Sequence, residues 1–124
     1  MSFDIYLQAF GDVSVDVPRL SAYLEPMLDA ARGKVITPDG KAEVYGLDHL
    51  ATGLMFTHAS GTAIWDVIHT VATIAHWVVI PVGCPVCLVD PDQVASLPPE
   101  LVDAVGYQVV RSGADIRHAI ETAP

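Results

Sequence analysis

Positive charge is scarce in this sequence. Its 124 residues carry six Lys and Arg against fifteen Asp and Glu, a formal net charge of −9. The cations stand at Arg19, Arg32, Lys34, Lys41, Arg111 and Arg117, with none between Lys41 and Arg111. Nucleic-acid affinity comes largely from neutralised phosphates, so the chain is expected to bind neither DNA nor RNA. The same field attracts a basic partner at close approach, within a screening length of about 8 Å at physiological salt. Catalytic signatures are missing as well. There is no G-x-S-x-G, no H-E-x-x-H and no glycine-rich phosphate loop, and the expectation is a protein that is not an enzyme. The opening MSFDIYLQAF has no basic n-region, which argues against a secretory signal. The uncharged run Val71 to Val89 approaches bilayer thickness. Pro81, Gly83 and Pro85 interrupt it, His76 lies inside it, and no Lys or Arg flanks it, so no membrane span is expected. A cytoplasmic protein follows, in which cysteines are normally reduced.

Apolar content, by contrast, is high at 52% and is enough for one core in a single domain spanning residues 1–124. Phe3 to Ala9 alternates as a strand, with Phe3, Ile5 and Leu7 on one face and Asp4, Tyr6 and Gln8 on the other. Pro18 opens a helix whose stripe is Leu20, Leu24, Met27, Leu28 and Ala31, kinked or split at Pro26 and ended at Gly33. Lys34–Thr37 and Lys41–Tyr45 flank Pro38-Asp39-Gly40 and read as a hairpin. A strand over Gly53–His58 leads to Ser60, a cap for a helix from Gly61 to about His76. On that helix Ile64, Val67, Ile68, Val71, Ile74 and Ala75 gather on one side, and Asp66, His69, Thr70, Thr73 and His76 on the other. Val78–Pro81 and Val86–Val89 read as short buried strands, and DPDQ as a turn. LPPELVDAVG reads as a helix and Tyr107–Arg111 as a last strand. Ser112 and Asp115 form a capping-box-like start for a helix burying Ile116, Ala119 and Ile120. The fold class is α+β, a mixed or mainly antiparallel sheet with helices packed on one face.

Cys84-Pro85-Val86-Cys87 has the spacing of half a zinc site, which needs two more ligands. His69 and His76 are ~10 Å apart along a helix axis, too far for one ion. His58 remains the histidine that could join Cys84 and Cys87 on zinc. As a thioredoxin-like dithiol the motif lacks a following helix, because Pro91 comes too soon. The simpler reading takes both cysteines as buried structural thiols, with no cofactor. His58, Ser60 and Asp66 lie close in sequence, but capping, strand-end and solvated roles account for them without a triad.

For partner binding the candidates are Asp66, His69, Thr73 and His76 on the polar side of the central helix, with Trp77 and Tyr6 as aromatic anchors. Trp77 falls on the polar side only if the helix persists that far; a core Trp at a helix-to-strand junction is the alternative. MSFDIYLQAF, HASGTAIWDVI, LPPELVDAVG and VVRSGADIRHAI resemble segments of a group of small bacterial proteins that look like candidate immunity proteins of polymorphic toxin systems. The resemblance covers the chain in patches and rests on a strand, two capped helices and a strand-to-helix turn, so it assigns no site residues. It implies a small cytosolic inhibitor without catalytic activity, complementary in charge to a basic toxin such as a nuclease. The alternatives are a small metal- or histidine-dependent enzyme, with zinc on the cysteines, and an oligomerising accessory domain that forms a homodimer.

Overall fold

The computed structural model describes residues 4–123. Phe3, placed in the first strand by its alternation, lies outside the described residues. Strand β1 (Ile5–Gln8) leads to helix α1 (Val17–Leu24), the hairpin β2 (Lys34–Thr37) and β3 (Gly40–Tyr45), β4 (Leu54–Thr57) and helix α2 (Ala63–Ala75). Then come β5 (Val78–Pro81), β6 (Val86–Leu88), helix α3 (Pro99–Val105), β7 (Tyr107–Val109) and helix α4 (Gly113–Glu121). All seven strands join one sheet in the order β2-β3-β4-β1-β5-β6-β7. Every pair is antiparallel except β6 and β7. The α+β class and the mainly antiparallel mixed sheet read from the alternation are the observed ones, but the helices are not confined to one face as expected, because α3 packs on the side opposite α1, α2 and α4.

Two crossovers organise the molecule. β4 and β5 both pair antiparallel with β1, so they run parallel to each other and α2 must carry the chain over the sheet between them. β6 and β7 are parallel neighbours, and α3 carries the second crossover. Both connections step the same way across the sheet, but β6 runs opposite to β4. Crossovers of one hand then lie on opposite faces, and nearly all such connections are right-handed. The two buried clusters agree. Ile5, Leu7, Phe56, Val79 and Cys87 face α1, α2 and α4 in the main core. Val78, Val86 and Leu88 point the other way and are covered by Leu97, Leu101, Val102 and Val105 of the α3 unit.

Local chemistry sets the element ends. Pro26 converts the end of α1 into a 3-10 turn over Glu25–Met27. Leu28 is then extended and bridges to Val35, and Ala31 is exposed in a turn. The expected apolar stripe therefore stops short of Ala31. The DPDQ turn grows into a 3-10 segment, Pro91–Ser96, closed by a capping box between Asp90 and Gln93. Ser112 caps α4 as its spacing predicts, by accepting from the Asp115 amide. Ser60, however, does not cap α2. Its hydroxyl bonds Lys41, and the Thr62 and Ala63 amides instead donate to the Asp39 carboxylate, 2.8 and 3.2 Å away, from the β2–β3 turn. A Cβ at Gly40 would lie 2.0 Å from the Ser60 carbonyl oxygen, so only glycine allows that turn to press against the start of α2.

At Gly113 a Cβ would lie 2.3 Å from the Asp66 backbone nitrogen, so α4 touches α2 backbone to backbone. Gly113→Ala is expected to cost about 1–3 kcal/mol of stability through overpacking, measured by urea unfolding, whereas Gly33→Ala meets no atom within 4 Å and serves as control. The Thr62 and then the Ala63 amide hold the Asp39 carboxyl below its ordinary 3.8. Its folded pKa is depressed, so its stabilising contribution is present above 3.8 and is lost as pH falls through the folded value. Asp39→Ala is expected to lower the unfolding midpoint at neutral pH, with the difference from the parent protein shrinking below pH 3.8, as acid-range denaturation curves would reveal.

Candidate interaction surface

The residues singled out on the central helix do not converge on one site. Asp66 and His69 are tied to the approach to α4, although Asp66 stays exposed, and Thr73 and His76 are exposed as well. The Asp66 carboxylate accepts from the Gly113 amide at 3.1 Å and so fixes the start of α4. His69 Nε2 lies 3.3 Å from the Val110 carbonyl oxygen, and the Thr73 hydroxyl donates to the His69 carbonyl. His76 ends α2 in a left-handed conformation, φ 57°, and its carbonyl receives the Gln93 side-chain amide. That reversal turns the next residue inward. Trp77 is 1% exposed and belongs to the core, which corrects its reading as a surface anchor. Tyr6 is 41% exposed, on the sheet face opposite α2, so it shares no surface with the α2 set.

The metal candidates are separated too. His58 follows β4 and Cys87 sits in β6, with β1 and β5 between them. Three strand spacings amount to ~14 Å, which corrects the grouping of His58 with Cys84 and Cys87 on one ion. His58 instead pairs with Glu43. Both cysteines are buried and reduced. Burial, and secondarily the neighbouring Cys84, pushes the Cys87 thiol up to about 12; burial also raises Cys84. His58, Ser60 and Asp66 engage Glu43, Lys41 and Gly113 respectively, so the three groups do not face one another.

What the sheet does present is its second face. Register places Tyr45 opposite Met55, Met55 opposite Tyr6, and Tyr6 opposite Ile80, a row crossing β3, β4, β1 and β5. Tyr45 is 52% exposed, and Ile36 on β2 is exposed beside the row. The α3 unit covers β5 and β6 on this face and leaves Tyr107 and Val109 of the edge strand β7 exposed. Among the described residues no helix lies over the β2–β3–β4–β1 half. Cross-strand aromatic and long apolar pairs stabilise a sheet even in water, but a row this continuous, rimmed by polar groups, has the anatomy of an interface.

Charge divides the same face. On the open half, Lys34, Lys41, Glu43 and His58 line a hollow of about 250 Å³. Neither lysine has an ion-pair partner among the described residues. The α3 unit exposes Asp92, Glu100 and Asp103, in a stretch without any cation. Tyr45, Met55, Ile36 and Ile80 were not singled out by the sequence reading. The signal was present in KAEVY, where Lys41, Glu43 and Tyr45 fall on one side of the alternation, but only the sheet order reveals that no helix covers that side.

Among the described residues no helix is long and apolar enough to cross a membrane. The uncharged Val71–Val89 run is the end of α2, the left-handed turn at His76, and strands β5 and β6. Comparison of the chain with protein-family models, curated proteins and solved structures finds no match. The raised, buried thiols are expected to resist a thiol-titrating disulfide reagent in the folded protein at pH 8 and to react fully in denaturant; rapid native labelling of either cysteine would show that this strand pair opens.

Proposed function

We propose that this chain is a non-enzymatic acidic binding protein that acts in the cytoplasm as an immunity-type inhibitor of a bacterial toxin. The observation that carries the reading is the cross-strand row Tyr45–Met55–Tyr6–Ile80, with both tyrosines exposed, Met55 half-buried and Ile80 packed against the α3 unit, beside an acidic helical ledge. Aromatic side chains at the centre of an interface supply most of its affinity when they enter desolvated pockets. The carboxylates of Asp92, Glu100 and Asp103 steer a basic partner toward that row and are screened by salt. The resemblance of the opening strand and the capped helices to candidate immunity proteins points the same way. The α2 set contributes less to this reading than the sequence suggested, because Asp66 and His69 are engaged by the approach to α4.

On this reading a toxin gene is expected beside this chain's own, and the test is co-expression with that product, followed by titration calorimetry on the purified pair. The expected result is loss of toxicity and a stable complex. Tyr6→Ala combined with Tyr45→Ala should weaken the complex at least about 30-fold, equivalent to about 2 kcal/mol, without altering the far-ultraviolet spectrum. An unprotected cell, or a complex indifferent to both tyrosines, would reject the reading.

A further inference from the structure

We propose that, when no partner is bound, the open sheet face is closed by a second copy of this chain related by a two-fold axis. The α3 layer of each copy then sits on the uncovered half of the other. The inference rests on the reading of this face as an interface, and it names what occupies the face in the chain on its own.

Shape is the first argument. The α3 unit rises as a layer about 10 Å thick over β5 and β6, with Tyr107 and Val109 of the edge strand β7 exposed on its far flank and the β2–β3–β4–β1 half lying lower on the near one, so the face is stepped rather than plane. Two steps related by a two-fold axis fill each other, because the raised half of one copy meets the low half of its mate. An isologous contact of this kind closes on itself and does not propagate into fibres.

Charge is the second. The low half carries Lys34 and Lys41, which have no ion-pair partner among the described residues, and toward β1 the carboxylate of Asp4; the raised half carries Asp92, Glu100 and Asp103. A second copy presents carboxylates to both lysines and lysines to the carboxylates, twice over. Glu43 sits among the low-half charges but is already engaged by His58. The hollow lined by Lys34, Lys41 and His58 is the receiving site for a carboxylate from α3 of the mate.

Area is the third. Four strands at ~4.8 Å spacing and four to six residues of ~3.3 Å each give a low half of about 300 Å². With a similar area on the raised half, two copies would bury about 1,200 Å² in total, the lower bound for a specific interface. The resulting dimer is weak and reversible, as it must be for a partner to displace it.

Sedimentation equilibrium on the full chain tests the proposal. At low salt a monomer–dimer equilibrium is expected, and it should weaken as salt rises. Lys34→Glu with Lys41→Glu makes both halves acidic, and Glu100→Lys with Asp103→Lys makes the raised half basic, so each double variant alone should lose self-association by at least about tenfold. Mixing the two variants should restore a heterodimer. Strictly monomeric parent protein at about 100 µM in low salt, folded variants whose mixture stays monomeric, or self-association indifferent to all four charges would each overturn it. A dimer that fails to protect against the neighbouring toxin would leave this inference standing and reject the proposed function. Protection by a strict monomer would do the reverse.

Discussion

The double pairing of β1 is the constraint from which the rest of the architecture follows. A central strand with an antiparallel neighbour on each side forces those neighbours, β4 and β5, to run the same way. The chain between them must therefore cross the sheet, and α2 is long and apolar enough to do so while burying Ile64, Ile68 and Val71. Once α2 occupies one face, the return through β6 reverses the direction. The next crossover, through α3, falls on the other face. That second helix is short, so it covers β5 and β6 and leaves the β2–β3–β4–β1 half without a layer. The exposed aromatic row is a consequence of where the chain runs out of crossovers.

Two backbone contacts lock the helical layer onto this sheet. The Pro38-Asp39-Gly40 turn presses against Ser60 and Gly61, and its carboxylate accepts from the first amides of α2. Asp66, one turn further along, does the same for Gly113 at the start of α4. In both cases an acidic side chain meets the positive end of a helix, where its charge is favoured and the unpaired amides need an acceptor. Asp29 works similarly inside a loop, accepting first from the Lys34 amide and also from Gly33, which lowers its pKa. Part of the acidity that looks like a solubility feature in the composition is thus spent on holding elements together. Of the acids that make no such bond, Asp92, Glu100 and Asp103 lie on the α3 unit, and Asp4, Asp12 and Asp48 lie elsewhere.

Most elements were legible because their determinants are local. Alternation in IYLQ and LMFT, the proline and glycine at the hairpin turn, and the period of Ile64, Val67, Ile68 and Val71 each specify an element within a few residues. Ser112 was read correctly as a cap because its partner, Asp115, is three residues away. Ser60 was not, because the group that caps α2 is Asp39, more than twenty residues distant, and no local pattern distinguishes the two. Trp77 as a surface anchor failed for a related reason, and the alternative of a core Trp at the helix-to-strand junction is the one observed. One left-handed residue, His76, rotates it from the polar side of the helix into the core, and that reversal depends on how β5 must enter the sheet.

Taken alone, the sequence determined the α+β class, the scarcity of cations, the strands and helices, and the interior character of the Cys84–Cys87 segment. Those properties follow from composition, turn chemistry and periodicity, which act over a few residues. Tertiary structure alone decided which polar-looking residues became structural and which apolar ones stayed exposed. It separated His58 from the cysteines, turned Asp66 into a helix cap, and left Tyr6 and Tyr45 exposed. The reason is that exposure depends on strand order and on the face each crossover takes, and these are set by pairings between segments far apart in the chain.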